Sequence, residues 1–451
     1  MKSRLNYREP ASQSSPLGFA LFLALNAVLL IRPQEWIPGL QIPFYEILII
    51  GSVLTCFRGL ARQLDTRSLG AAPVSVCVLG MFAAIVMSHV AHLWAAGAYA
   101  SGMPFLKILL YYFLLLVTVD TPKRLRTTMC GFVLSLGVVT LLAILQYSEL
   151  IDMPGWAVIE DRRFDSETGT ATIHRRMVGA GIFNDPNDLA LILVVGMAAG
   201  LYLLLTPGQG IVRIFWLALL GLFGFGLTLT YSRGGFIALL AGVAVLFQAR
   251  FGWRKAVSLV AVIFPMLLAL FGGRQTDISG SLESDTGQGR IQIWQEGLEL
   301  FRREPLVGIG ADKYAERVTH VAHNSFLQCY TELGLFGGTF FLGAFCSAAL
   351  SLMRLGRQPW RTSPEVIRLR PYVMAMVGAY AAGNLSLSRS YVLPTYLVLG
   401  MAAAYIRIAA GRNPVLRFDR YLVAGLGLAT AVVLLILHVV VRLSVTQGLD
   451  L

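Results

Sequence analysis

Apolar runs of about twenty residues recur from one end of this chain to the other, and an α-helix of that length crosses a bilayer. In hydrocarbon every backbone N–H and C=O must find a partner within the protein, which leaves helices and closed barrels as the spanning structures. The runs are continuous rather than alternating, so they predict helices and not an outer-membrane barrel. Composition agrees. Of 451 residues, 56% are hydrophobic and 14% charged, against about 25% charged in a soluble domain. A soluble enzyme, a disordered chain, a disulfide scaffold and a coiled coil are excluded. The five cysteines form no CxxC pair, and a free thiol in an apolar span behaves as a small hydrophobe.

The expected fold is all-α: a polytopic membrane protein with about 12–13 transmembrane helices. Spans are read at 17–31, 42–57, 72–95, 104–119, 128–146, 187–206, 213–230, 234–249, 256–272, 333–353, 371–387, 391–406 and 421–441. The first follows Lys2, Arg4 and Arg8. No small-residue cleavage site comes after it, so it reads as a span and not as a cleaved signal.

The net charge of +12 reports topology. Basic residues concentrate in alternate loops: Arg58, Arg62 and Arg67; Lys123, Arg124 and Arg126; Arg213; Arg250, Arg254 and Lys255; Arg354 to Arg370; Arg407 to Arg420. The short intervening loops hold almost none beyond Arg32, Arg233 and Arg389. Cytoplasmic loops carry the excess of Lys and Arg, so the N-terminus is expected inside. With thirteen spans the C-terminus falls outside, and with twelve it falls inside. The two long polar segments, about 147–186 and 273–332, then lie on the outer face. In the second, Ile291, Trp294, Leu298 and Phe301 share one helical face, which predicts an amphipathic helix over 290–303 lying at the membrane surface.

Few residues could carry chemistry. Arg233 stands in Thr230-Tyr231-Ser232-Arg233-Gly234-Gly235 between two spans. It reads either as a snorkelling turn arginine or as an anion ligand, with glycine N–H groups nearby at a helix N-terminus. Arg290 follows Gly287-Gln288-Gly289 and opens the amphipathic helix. His323 stands in His323-Asn324-Ser325, and histidine is the side chain best matched to proton transfer near neutral pH. Other signals are weaker. Asp185 reads most simply as an N-cap before Pro186, with a catalytic role as the alternative. Lys107 lies inside an apolar span, and Arg175 and Arg176 follow the first outer segment. The pairs His89/His92 and His320/His323 repeat one spacing and raise a metal site as an alternative; no metal is expected.

His323-Asn324, followed by Gly334-x-x-Gly337, resembles the signature of the O-antigen ligase and polymerase superfamily. Further blocks agree in order: Asn184-Asp185-Pro186-Asn187 at the start of a span, Ser232-Arg233-Gly234, and Gly289-Arg290 with Trp294, then Pro305, Gly308 and Gly310. On this basis the chain divides into N-terminal helices with the first outer loop (1–186), a ligase-like core (187–355) and C-terminal helices (356–451).

The resemblance implies glycan transfer at the outer face of a bacterial inner membrane. The donor would be an oligosaccharide on a polyprenyl pyrophosphate. The acceptor would be a hydroxyl of lipid A core, protein or another glycan. It implies Arg233, Gly234 and Arg290 as pyrophosphate-binding residues, His323 acting on the acceptor hydroxyl, and Asn324 orienting it. No cofactor and no nucleic acid are expected; the bond energy is in the donor, and no Walker loop or dinucleotide fingerprint is present. Alternatives are a repeat-unit polymerase and, from another class, a flippase or transporter of an anionic lipid-linked substrate.

Overall fold

The computed structural model describes residues 12–448 except 13, 36, 38–41, 154, 155, 157, 165–170, 209, 271–284, 358–362 and 412. Lys2, Arg4, Arg8, Arg361, Arg412 and the stretch 273–284 of the second outer segment lie outside the described residues.

Helices form where the apolar runs predict them. In chain order they are α1 (Pro16–Ile31), α2 (Phe44–Gln63), the short α3 (Thr66–Gly70), α4 (Pro73–Val90), α5 (Ala95–Thr118), α6 (Pro122–Tyr147), α7 (Pro186–Leu204), α8 (Val212–Leu229), α9 (Arg233–Phe251) and α10 (Trp253–Leu270). Then follow α11 (Asp285–Arg303), the short α12 (Tyr314–Val318), α13 (Ser325–Gly356), α14 (Pro364–Gly383), α15 (Leu393–Ala410) and α16 (Arg420–Gly448). Among the described residues, 11 helices are long and apolar enough to cross a membrane. α10 and α14 coincide with the other two expected spans, and both begin among charged residues, Arg254 and Lys255 in one, Glu365, Arg368 and Arg370 in the other.

Side-chain caps and first-turn prolines set the helix starts. Ser15, Thr121, Asp185, Ser232, Asn324 and Ser363 each accept a hydrogen bond from the first turn of α1, α6, α7, α9, α13 and α14, satisfying N–H groups that have no partner within the helix.

The centre of the bundle is α7, α9 and α14 packed on one another, with α13 against α4 and α15 against α5. α15 has 72% of its span buried inside the protein, and α16 only 11%. The first is a core helix; the second is a peripheral helix that touches α11 and α13.

Contacts sort the helix ends into two groups. At one end, Arg124 donates to the Thr118 carbonyl, Arg370 to the Leu352 and Ala249 carbonyls, Arg407 to the Leu116 carbonyl, and Arg250 to the Tyr372 hydroxyl. At the other end lie the starts of α7, α9, α13 and α15 and the ends of α8 and α14. The expected alternation of spans is therefore consistent with the packing, since every predicted basic loop that makes these contacts reaches the same end.

Two features depart from the expectations. The first outer segment contains an antiparallel hairpin, β1 (Ile159–Phe164) with β2 (Ala171–Arg176), in the register Ile159 to Arg176. The amphipathic helix, α11, begins five residues earlier than expected and turns its apolar face onto the protein: Leu298 packs with Leu327, Leu437 and Val441, and Phe301 meets Tyr330 edge-on at 6.1 Å. Its partners are α13, α16 and the short α12.

Candidate functional site

The site is assembled from helix starts at the end of the bundle opposite the arginine-rich contacts. α7 begins at Asp185, whose Oδ1 accepts from Asn187 N at 2.7 Å and Asp188 N at 3.3 Å. This is the N-cap expected from Asp-Pro. Asn187 Oδ1 in turn accepts from Ser232 Oγ at 2.7 Å and from Arg176 at 3.0 Å. Arg176 also donates Nε–H to the Thr230 carbonyl at 3.0 Å, and Met177 N donates to the Leu229 carbonyl at 2.9 Å. The base of the hairpin is thus fastened to the start of α7 and the α8–α9 turn, which gives Arg176 a structural task. Arg175 pairs instead with Glu149 at 2.8 Å.

Arg233 is the first residue of α9 and is half-buried. The glycines after it allow close approach. A Cβ on Gly234 would lie 2.4 Å from Ser386 Oγ, and one on Gly235 would lie 2.5 Å from the Ala190 Cβ. The Gly235 N–H is taken by Ser232 Oγ at 3.0 Å.

His323 stands two residues before α13 in the left-handed region, with φ of 48°. Both flanks are fixed. The preceding carbonyl, of Ala322, accepts from Trp294 Nε1 of α11 at 2.7 Å. The following residue, Asn324, is buried and caps α13, its Oδ1 accepting from Phe326 N and Leu327 N at 3.1 Å each. Asn324 therefore holds the chain on which His323 sits. Four charged or titratable groups act electrostatically on the imidazole: Arg290 of α11, Asp185 at the start of α7, Arg389 of the α14–α15 loop, and His320. Burial pushes His323 down to about 4; Arg290, Arg389 and His320 act in the same direction, and Asp185 opposes them. Burial also lowers the Arg290 pKa. A neutral imidazole beside guanidinium groups suits a proton acceptor next to a bound anion.

Sequence reasoning missed Arg389 and Asp188 as a pair. The Arg389 Nε–H donates to Asp188 Oδ1 in an ion pair. The available signal was that Arg389 is one of three arginines in the short loops on the basic-poor side of the chain. Glu332 was also missed. It is 1% exposed within α13, and its carboxylate accepts from Tyr314 N at 2.9 Å, Tyr391 OH at 2.7 Å and Gln328 at 3.2 Å.

The glycine blocks have a backbone explanation. α13 breaks at Gly334, with φ 63° and ψ −163°. The chain from Pro305 to Gly310 crosses the break: Ile309 N and Gly310 N donate to the Thr331 and Glu332 carbonyls, and Leu335 N and Phe336 N donate to the Pro305 and Leu306 carbonyls. Four carbonyl groups and four N–H groups are satisfied at a place where the helix ladder is open, as membrane depth requires.

Residues 217–342 match the family model described as O-antigen ligase. The matched segment takes in Arg233, Arg290, His323 and the Gly308–Gly334 crossing; Asp185 and Arg389 lie to either side of it. The chain is also 27% identical over 169 residues to the exopolysaccharide production protein ExoQ of Rhizobium meliloti (strain 1021), a stretch covering 33% of this chain. The match spans 38% of that relative's length.

Three other histidines have separate partners. His89 meets Ser101 Oγ at 3.1 Å, His92 meets the Ser88 carbonyl and Glu304, and His320 meets Thr319. Among the described residues, no group of three or more His, Cys, Asp or Glu is arranged to hold a metal ion. Lys107 pairs with Glu46 at 3.7 Å and faces the Tyr45 ring.

Proposed function

We propose that this protein is a glycosyltransferase of the ligase type. It moves an oligosaccharide from a polyprenyl-pyrophosphate carrier to an acceptor hydroxyl at the outer face of the bacterial inner membrane. The observation that carries the reading is a half-buried His323 under the electrostatic influence of Arg290, Asp185 and Arg389, with the loop that carries Arg389 packed through Ser386 against Gly234 of the Arg233 turn.

In the reaction the acceptor oxygen bonds to the anomeric carbon. The bond from that carbon to the pyrophosphate oxygen breaks, and its electron pair leaves with the phosphate. Arg233 and Arg290 bind the pyrophosphate and stabilise the charge that grows on it. The hydroxyl proton passes to the neutral imidazole of His323. The basicity of that imidazole is low while Arg290 is uncompensated and rises when the donor's negative charge arrives next to it. An apolar groove of about 460 Å³, lined by residues including Met87, Leu306, Val307, Leu335, Phe336 and Phe340, runs beside the break in α13 and suits a lipid chain.

A second reading is a polymerase that uses another glycan as acceptor. The likeness to an exopolysaccharide production protein favours it. Purified protein in nanodiscs with lipid-linked donor tests the class. Consumption of donor with release of polyprenyl pyrophosphate supports transfer, whereas movement of intact donor between leaflets without consumption points to a flippase. Chain length of the product separates ligase from polymerase.

A further inference from the structure

We propose that Arg389 is a positioning residue for His323, acting through the loop that joins α14 to α15. The inference rests on the reading of His323 as the proton acceptor. No motif or family match includes this loop, yet it touches all three helix starts that build the site. At α7, the Arg389 guanidinium pairs with Asp188. At α9, Ser386 Oγ lies 2.4 Å from where a Cβ on Gly234 would be. At α13, the Arg389 N–H donates to Ser325 Oγ at 2.8 Å, Ser325 N donates to the Asn384 carbonyl at 2.8 Å, and Ser390 Oγ donates to the Ser325 carbonyl at 3.0 Å. Ser325 is two residues from His323, so the loop fixes the start of α13 relative to α7.

The pair is packed from behind. The cavity bordered by Asp188, Arg389, Tyr380 and Phe183 holds only about 10 Å³, too little for a ligand group. Arg389 NH1 also closes on the neighbouring Ser388 carbonyl at 3.0 Å. The guanidinium is thereby held in place, and with Arg290 of α11 it presents positive charge to the imidazole, opposed by Asp185 of α7; His320 faces it from the preceding turn. Arg389 thus sets the place of His323 and adds to its preference for the neutral form, which burial and then Arg290 chiefly establish.

The test uses the full chain in nanodiscs, with polyprenyl-pyrophosphate-linked glycan extracted from native membranes as donor. In Arg389→Gln, kcat should fall roughly ten- to hundredfold with the donor KM nearly unchanged. A second readout needs no donor: carbethoxylation of His323, followed by mass spectrometry against pH. Its midpoint should rise by roughly half a pH unit when the nearby charge is removed. Arg389→Lys keeps the charge and should restore the midpoint and part of kcat. An unchanged midpoint in Arg389→Gln, or a raised KM with kcat intact, overturns the inference. If Arg389→Gln does not fold, Asp188→Asn is read instead; it leaves Arg389 uncompensated and should lower the midpoint, and no movement again overturns it. Absence of transfer by the wild-type protein would count against the proposed function and leave the carbethoxylation result standing by itself.

Discussion

A Cβ on Gly334 would stand 2.3 Å from the carbonyl carbon of Leu306. The reverse approach is equally tight, since a Cβ on Gly308 would lie 2.3 Å from the Glu332 carbonyl carbon. Two backbones cross here with no space for a side chain, and both glycines have positive φ. Gly334→Ala is therefore expected to destabilise the protein by at least about 2 kcal/mol, from strain in a region open mainly to glycine and from displacement of the crossing strand. Gly221→Ala in α8, where nothing lies within 4 Å, should be neutral or stabilising by up to about 1 kcal/mol. Thermal unfolding in detergent compares the two. Equal midpoints would show that the crossing tolerates a methyl group.

The arginines should not be replaceable by lysine. A guanidinium binds phosphate oxygens through a planar fork that an ammonium lacks. Loss of a charge-assisted bond of about 1.5–3 kcal/mol corresponds to roughly ten- to hundredfold in rate. Arg233→Lys and Arg290→Lys, assayed at equal membrane levels, should each show such a loss. Activity within twofold of wild type would return that position to the role of a surface arginine.

His323→Ala should insert normally and lose roughly 10²–10⁴-fold of its transfer rate. His320→Ala, three residues away and exposed, should stay near wild type. Donor binding should survive in His323→Ala, since the arginines hold the pyrophosphate. Wild-type rates in both variants would remove the catalytic assignment. Joint loss would reopen the metal alternative, for which a chelator is the check.

The pH dependence has a definite sign. A histidine with its pKa lowered to about 4 is neutral, and able to accept a proton, at all pH values above that. The acid limb of the unliganded enzyme's kcat/KM should therefore lie below the ordinary histidine value of about 6.5, and His323 should not cause loss of activity between pH 7 and 5. The same depression means that the unfolded chain binds the proton more readily. This group's contribution to stability is complete above about 6.5 and is lost as pH falls toward about 4. An acid limb at 6 to 7 that disappears in His320→Ala would assign the titration to the wrong histidine.

Single cysteines near 165 and 285 should react with an impermeant reagent in intact cells, and those near 62, 252 and 360 should not. Labelling at 252 without labelling at 285 would invert the orientation and move the proposed site to the cytoplasm.

The helices were legible because hydropathy over twenty residues is a strong and local signal. Asp185-Pro186 and Ser232 announced their caps by residue type alone. The hairpin was not legible, because Ile159-Glu160-Asp161-Arg162-Arg163-Phe164 has neither an apolar run nor an alternating pattern. The face of α11 was read correctly and its partner was not: periodicity reports that a stripe is apolar, and Leu327, Leu437 and Val441 are too distant in sequence to reveal that they cover it. Within the site, His323 and Arg290 stood on motifs. The ion pair of Asp188 with Arg389 joins residues 201 positions apart, and only the fold brings them together. Glu332 was not legible because the reading placed it at the end of the outer segment, ahead of the span at 333; the helix that starts at Ser325 brings it inside, where a carboxylate is costly and calls for partners.

The arginines at the other end of the bundle are expected from the charge pattern to direct insertion, and the fold gives them a second task. Arg370 and Arg407 bind carbonyl groups in the last turns of α9, α13 and α5, where the helix dipole is negative. Charges expected to choose a direction during insertion thus also act as staples between neighbouring helices. A variant made to invert the chain by neutralising them would arrive in the membrane without its fastenings, so orientation and assembly in this protein cannot be altered one at a time.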